Sequence, residues 1–313
     1  MGSTQFGNFF VKAPHSMPEP PGCRVFHTDL VRRTSAETLH FLSAIHSQQG
    51  PWGGCELTGI PLSGGRKLGN LGSILLSFLA ILATGYLYFR SERKKAAVGR
   101  REMQLFLIGF GLIQLCEIFT VGEFPLDEKV RVAFTGIHIG AIIATTWILM
   151  LNAVVGYQIV DDGTPLSMGL LVGSAFVLLG GTLYISLDTG FQWTSYWDSS
   201  YVPPNRHIAL YVLYQLAPLV FLVAFFVLEA ILVIRILGEM RPMIYLTAAL
   251  LLFAIGQIFN YVVSSHICNG TNGKLDGSLF QTLFTLLAVV TVWIFWSSIT
   301  EDDWPMPVAN TYP

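Results

Sequence analysis

Long apolar runs alternate with short polar segments from about residue 68 onward. Each run has about 20 residues or more, and a helix of that length crosses a hydrocarbon core of roughly 30 Å. Because backbone polar groups in lipid must be satisfied within the segment, such runs favour helices. The pattern therefore predicts an all-α membrane protein, a bundle of seven transmembrane helices near 68–89, 104–122, 132–155, 168–187, 207–234, 243–264 and 279–299.

The chain divides into three parts around these runs. Residues 1–67 are polar and rich in glycine and proline, and we expect them to form a partly ordered lumenal head. Residues 68–299 form the membrane domain, and residues 300–313 form a short acidic cytosolic tail. The orientation follows from the basic loop after the first run, because Lys and Arg accumulate on the cytosolic side. That loop contains Arg90, Arg93, Lys94, Lys95, Arg100 and Arg101.

Two features agree with a lumenal head. Asn269 begins the sequon Asn-Gly-Thr in a loop that this orientation places in the lumen, so it is a candidate glycosylation site. Cys23, Cys55 and Cys268 would share the same oxidising compartment. Three cysteines permit one disulfide. We favour Cys23–Cys55, with Cys55–Cys268 as the alternative.

A stripe of four polar residues follows one face of the sixth predicted helix. The residues fall at i, i+3, i+4 and i+7, which is the spacing of a single helical face. A polar face within lipid has to meet protein or trapped water. We therefore predict a contact surface, and a candidate partner-binding site, at Gln257, Asn260, Tyr261 and Ser264.

Two carboxylates lie inside predicted spans, where charge is costly and often functional. They are Glu117 and Glu229, and His138 is a titratable group of the same kind. Gln114 precedes Glu117 by three residues and shares its face. The pattern fits either a proton or ion site or a hydrogen-bonded packing contact, and both interpretations stay open.

Small residues recur at spacings that let helices approach closely. We interpret these faces as packing surfaces within the chain. They are Gly136, Gly140 and Ala144 in the third run, Gly169 and Gly173 in the fourth, and Ser73, Ser77, Ala80 and Thr84 in the first.

The composition excludes several classes of protein. The chain is 12% charged, against about 25% in soluble domains. Its net charge of −2 offers no basic surplus for nucleic acid, so we expect membrane lipids and no nucleic acid as surroundings. Neither the zinc-hydrolase nor the nucleophile-elbow motif occurs, and the four histidines of the head, His15, His27, His40 and His46, show no metal-ligand spacing with nearby carboxylates. We expect no enzyme activity, no cofactor and no metal.

Four motifs, in order along the membrane domain, resemble those of the fungal chitin synthase export chaperone family. They lie in the basic loop, in an acidic turn before the fourth run, in and after the sixth run, and at the start of the tail. The matching positions are Ala97, Val98, Gly99, Arg100 and Glu102; Asp161, Asp162, Gly163, Thr164, Ser167 and Met168; Gly256, Gln257, Tyr261, Ser264, Ile267, Cys268, Gly270, Asp276 and Gly277; and Asp302 and Asp303.

The resemblance covers residues 68 to 304, but the segment after the second run, TVGEFPLDEK, departs from the family pattern. The chain is therefore similar to a divergent member or paralogue. The resemblance implies a multi-pass protein of the endoplasmic reticulum membrane that binds a chitin synthase, or a related cell-wall polysaccharide synthase. It further implies that the protein enables folding and export of this client, with which it can remain at the plasma membrane.

On this basis the polar stripe is a candidate client contact, and Asp302 and Asp303 are candidates for meeting a basic surface of the client or of the export machinery. Two other classes stay open at this point. A seven-transmembrane receptor would use the aromatic lumenal segment between the fourth and fifth runs, and a proton-linked transporter would use Glu117 or Glu229.

Overall fold

Seven helices of membrane-spanning length dominate the computed structural model, which describes residues 59–61, 67–121, 128–159, 163–191, 193–194, 196–197 and 208–300. This confirms the predicted all-α bundle, and each helix overlaps one predicted run. The helices are α1 (Leu71–Glu92), α2 (Arg100–Thr120), α3 (Glu128–Gly156), α4 (Pro165–Phe191), α5 (Val212–Leu237), α6 (Arg241–Val263) and α7 (Gly277–Ile299).

Shorter elements complete the described part of the chain. Strands β1 (Ile60–Pro61) and β2 (Lys67–Leu68) pair antiparallel just before α1. A single helical turn, Ile208–Tyr211, leads into α5, and a short helix, Ser264–Gly270, continues α6.

Local sequence fixes the beginnings of two helices. Asn70 caps α1, because its side-chain oxygen accepts a hydrogen bond of 3.1 Å from the Ser73 amide. Gly99 precedes α2 with a φ of 68°, a left-handed conformation that favours glycine. The chain can therefore turn sharply between α1 and α2, which places the two helices side by side.

The helices pack in chain order, and the last one returns to the first. Each of α1 to α3 packs on the next, α5 packs mainly on α3, and α7 packs on both α6 and α1. The apolar core includes Ala80 of α1, Leu107 of α2, Ala153 of α3 and Phe295 of α7. The helix with the largest share of buried residues is α3, and those with the smallest share are α4 and α6.

The small-residue faces have two different environments. Ser73, Ser77, Ala80 and Thr84 are all buried in the bundle. A Cβ added at Gly140 would lie 3.2 Å from the Leu179 carbonyl oxygen, so α3 and α4 are in close contact there. In contrast, Gly169 and Gly173 are exposed on α4, and an added Cβ would meet nothing within 4 Å. For these two glycines the expectation of packing within the chain is wrong, because they face the membrane side of an outer helix.

Three π-helical segments interrupt the regular helices. They are Val212–Leu216 and Leu232–Leu237 in α5, and Phe259–Val263 in α6. A π-helical turn changes the phase of the helix, so residues on either side of it no longer share one face.

Candidate functional site

A hydrogen-bonded cluster joins the beginning of α1 to the beginning of α7. The Asn70 amide donates to an Asp276 carboxylate oxygen at 2.8 Å and to the Ser278 hydroxyl at 3.1 Å. Ser278 also donates to Asp276 at 2.6 Å, and its hydroxyl lies 3.0 Å from that of Ser73. All four side chains are buried. The motif residue Asp276 therefore fixes the first span to the last.

Burial and hydrogen bonding act in opposite directions on Asp276. Burial raises the pKa of its carboxyl above the ordinary value, while hydrogen bonds from Ser278 and Asn70 lower that pKa in part. The net direction is upward, because removal from water disfavours the charged form more than these donors favour it.

The motif glycines Gly256 and Gly277 let α6 and α7 approach closely. A Cβ at Gly277 would lie 2.2 Å from the Phe259 carbonyl oxygen, and a Cβ at Gly256 would lie 3.1 Å from Cβ of Phe284. The Gly277 amide donates to the Ser264 hydroxyl at 2.8 Å. These motif positions therefore serve contacts between the two helices.

The four residues of the polar stripe do not form one outer surface. Asn260 and Ser264 are buried, whereas Gln257 and Tyr261 are partly exposed and line a cavity described below. The Tyr261 hydroxyl donates to the Gln215 side-chain oxygen of α5 at 2.6 Å. The π-helical turn at Phe259–Val263 lies within the stripe and changes the regular spacing from which a single face was predicted.

Asn260 differs from the other three stripe residues, because neither its amide nitrogen nor its carbonyl oxygen has a hydrogen-bond partner in the structure. Its side chain is only 1% exposed. An unpaired buried amide costs free energy, so Asn260 is a candidate for a group that is satisfied only in a complex.

The loop between α6 and α7 contains a disulfide-bonded cysteine. Cys268 is buried and disulfide-bonded, and its partner lies outside the described residues, as do Cys23 and Cys55. The favoured pairing Cys23–Cys55 leaves Cys268 free, so that preference is wrong, because Cys268 itself is in a bond. The alternative Cys55–Cys268 stays a prediction. Asn269, next in sequence, is exposed.

The motif residues at the opposite end form a second cluster. Glu102 is fully buried in the first turn of α2, where one carboxylate oxygen accepts the Gly163 amide at 3.3 Å. Asn152 of α3 donates to the Gly99 carbonyl at 3.4 Å. Arg100 lies 3.9 Å from Glu92. The structure thus brings Gly99, Glu102 and Gly163 together, while Asp161 and Asp162 lie outside the described residues.

Two tryptophans, which the sequence analysis did not select, connect α7 to this end of the bundle. Trp293 donates to the Ser91 hydroxyl at 2.8 Å, and Trp296 donates to the Val98 carbonyl at 3.0 Å. Lys94 of the basic loop donates to the Ser297 carbonyl at 3.1 Å. The sequence could have identified these tryptophans, because both lie near the end of a predicted span, where an indole N–H group needs a hydrogen-bond partner.

Glu117 is hydrogen-bonded within the bundle. Its two carboxylate oxygens accept from Thr282 at 2.5 Å and from the Gln114 amide nitrogen at 2.7 Å. The predicted pairing of Gln114 with Glu117 is therefore confirmed. Glu229 is also buried, and one of its carboxylate oxygens has no partner. Among the described residues, no three His, Cys, Asp or Glu side chains lie together as a metal site would require.

A cavity of about 270 Å³ lies between α2, α3, α5, α6 and α7. Its polar lining residues include Gln114, Glu117, His138, Gln215 and Tyr261, and the rest of its lining is largely apolar. An unfilled volume and buried polar groups thus coincide in this part of the bundle.

Seven apolar helices, joined by buried hydrogen bonds at both ends, define a multi-pass membrane protein whose motif residues mainly fasten helix to helix. A sequence model of the chitin synthase export chaperone family matches residues 5–310, and the chain belongs to that family. This confirms the resemblance and supports a chaperone over a receptor or a transporter.

Individual relatives agree with this assignment. The chain is 31% identical over 232 residues to a chitin synthase export chaperone of Chaetomium globosum, covering 73% of this chain and 67% of the relative. Proteins of the same name from Coccidioides immitis and Cryptococcus neoformans are each 30% identical, over 73% and 75% of this chain and 68% and 64% of their own lengths. No solved structure matches the chain significantly.

Proposed function

We propose that this protein binds a chitin synthase, or a related cell-wall polysaccharide synthase, in the endoplasmic reticulum membrane and enables its folding and export to the cell surface. The family match over residues 5–310 carries this proposal. The protein acts by binding rather than by catalysis. Its head faces the lumen, where Asn269 is available for glycosylation, and its tail faces the cytosol.

The membrane face of α4 is a suitable place for a client helix. Gly169 and Gly173 lie one turn apart, and a Cβ added at either would meet no described residue within 4 Å. Leu170, Phe176 and Val177 on the same helix are more than half exposed. Small residues beside large apolar ones let a second helix approach the backbone closely. A client whose own helices are not yet assembled presents the apolar surface that such a face covers.

Replacing Gly169 and Gly173 with leucine tests this face. We expect the fold to be unchanged, because the new side chains meet open space and leucine favours helix more than glycine does. Recovery of the co-purified synthase should fall several-fold, because the client helix loses its close approach. Thermal unfolding and client recovery from mild detergent are the two measurements.

Gly85→Leu on α1 is the matched control, because an added Cβ also meets nothing within 4 Å there. Its client recovery should equal that of the wild type. Equal recovery with the α4 double variant would exclude this face as the client contact.

The polar stripe offers a second contact through Asn260. Because its amide is buried without a partner in the bundle, we propose that assembly with the client moves α6 enough to expose it, and that a polar group of the client then satisfies it. Asp302 and Asp303 follow two and three residues after Thr300, the C-cap of α7. We propose that they meet a basic cytosolic surface of the client or of the export machinery.

The central experiment is to purify the tagged protein in mild detergent and to identify the proteins that accompany it by mass spectrometry. A chitin synthase in near-stoichiometric amount is the expected result, and a different polysaccharide synthase would change only the client.

Asn260→Leu should keep or raise the stability of the protein and lower client recovery about threefold. A loss of this size corresponds to one interhelical hydrogen bond of roughly 0.6 kcal/mol. The double variant Asp302→Asn, Asp303→Asn tests the tail in the same assay.

Recovery of no synthase with the wild-type protein would overturn the proposed function. If Asn260→Leu folds and keeps full client recovery, the stripe belongs to the interior packing only.

A further inference from the structure

We propose that the cavity between α2, α3, α5, α6 and α7 binds a single-chain amphiphile whose head group donates hydrogen bonds, such as a long-chain amine or a monoacylglycerol. This inference goes beyond the proposed function and does not depend on it. It rests on three observations: the free acceptors at one end of the cavity, the apolar lining at the other end, and an opening toward lipid.

The polar end is rich in hydrogen-bond acceptors. Gln114 is only 2% exposed, and its side-chain oxygen has no partner, although its nitrogen donates to Glu117. Each Glu117 carboxylate oxygen accepts one side-chain hydrogen bond, which leaves it a second lone pair. A ligand that donates hydrogen bonds satisfies Gln114 and Glu117 together. The carboxylate of a fatty acid is disfavoured, because it would lie against the Gln114 oxygen and the Glu117 carboxylate, which are both acceptors.

Most polar lining residues are separated from most apolar ones along the membrane normal, although Thr145 and Thr146 lie between the two ends and Val121 lies at the polar end. The polar ones lie near the α6–α7 loop, which is close to the ends of α2 and α6 and to the beginnings of α3, α5 and α7. Examples from these five helices, in the same order, are Glu117, Tyr261, His138, Gln215 and Thr282. The apolar ones lie nearer the opposite end, as shown by Phe106, Leu149, Phe225, Leu246 and Val292.

The distance between the two ends matches one hydrocarbon chain. Phe106 and Glu117 are eleven residues apart on α2, which corresponds to a rise of about 16 Å. This is about half of the roughly 30 Å hydrocarbon core, and so one leaflet. A metal ion or proton site would not require such a long apolar lining. A client helix about 10 Å wide does not fit a cavity of about 270 Å³.

The cavity opens between α5 and α6. Leu219 of α5 and Leu250 of α6 both line it, and they are 47% and 42% exposed. These leucines lie on membrane-spanning helices, so the opening faces acyl chains rather than water. An amphiphile can therefore enter from the lumenal leaflet.

Native mass spectrometry of the full-length protein in phosphatidylcholine nanodiscs tests the proposal. The probes are octadecylamine, monoolein and oleate. We expect adducts with octadecylamine, monoolein or both, and at least roughly tenfold weaker binding of oleate. The two donor probes distinguish an amine head from a hydroxyl head. Glu117→Gln and Gln114→Leu should each weaken binding of the preferred probe by roughly tenfold.

Glu229→Gln is the matched control, because Glu229 is a buried carboxylate that does not line the cavity, and its adducts should equal those of the wild type. A wild-type measurement guards against variants that do not fold: octylamine should bind much more weakly than octadecylamine if the apolar end holds the chain. Equal binding of oleate, equal binding of octylamine, unchanged binding by both folded variants, or no adduct with either donor probe would each overturn the proposal.

Discussion

One methyl group at position 277 is expected to destabilise the bundle severely. In Gly277→Ala the new Cβ would lie 2.2 Å from the Phe259 carbonyl oxygen and 2.6 Å from Cβ of Ser264. Because the nearest atom belongs to the backbone, α6 or α7 has to move, and the Gly277–Ser264 hydrogen bond moves with it. Overpacking typically costs about 1–3 kcal/mol, and we expect about 3 kcal/mol or more here. Thermal unfolding in detergent measures the loss.

Gly270→Ala provides the comparison in the same region, because an added Cβ meets nothing within 4 Å there. Its unfolding midpoint should stay close to that of the wild type. If Gly277→Ala unfolds at the same temperature as this control, the close approach of α6 and α7 is not as the structure describes.

Asp276→Ala is expected to separate α1 from α7 at the end of the bundle where both helices begin. The substitution removes the acceptor of the Asn70 amide and of the Ser278 hydroxyl, and it leaves both groups buried. A buried polar group without a partner costs about 1–3 kcal/mol, so we expect a loss of about 2–3 kcal/mol. Glu239→Ala, which removes an exposed carboxylate, should change stability little. Equal unfolding midpoints for the two variants would contradict the role of this cluster.

Asp276→Asn adds a test of the charge itself. The folded state raises the pKa of the Asp276 carboxyl, so the folded protein holds this proton more tightly than the unfolded chain does. The stability from this group is fully present below the ordinary aspartate pKa and is lost as the pH rises through the raised one. The asparagine variant, which keeps an acceptor oxygen but does not titrate, should lack this part of the pH dependence of the unfolding midpoint.

The seven spans could be predicted because the length and polarity of each run depend only on its own residues. The pairing of Gln114 with Glu117 was visible for the same reason, since three residues separate them on one helix. The contact between Asn70 and Asp276 could not be predicted, because 206 positions separate the two residues and nothing in the sequence around either one indicates the other.

The glycine pairs show a second limit of the sequence. Gly136 and Gly140 have the same spacing as Gly169 and Gly173, yet only the first pair packs inside the bundle. Spacing identifies a face but not what covers it. The polar stripe shows a third limit, because its four positions fit one α-helical face and the π-helical turn at Phe259–Val263 changes that geometry.

The contact between the first and last spans also constrains biosynthesis. Translation adds about 5–20 residues per second, so roughly 10 to 40 s pass between synthesis of Asn70 and synthesis of Asp276, 206 residues later. During that interval α1 is in the membrane while the polar face of Ser73 and Ser77 lacks its final neighbours. This protein therefore spends its own synthesis with an incomplete bundle, and whatever holds α1 in place at that stage acts before the protein can assist any other chain.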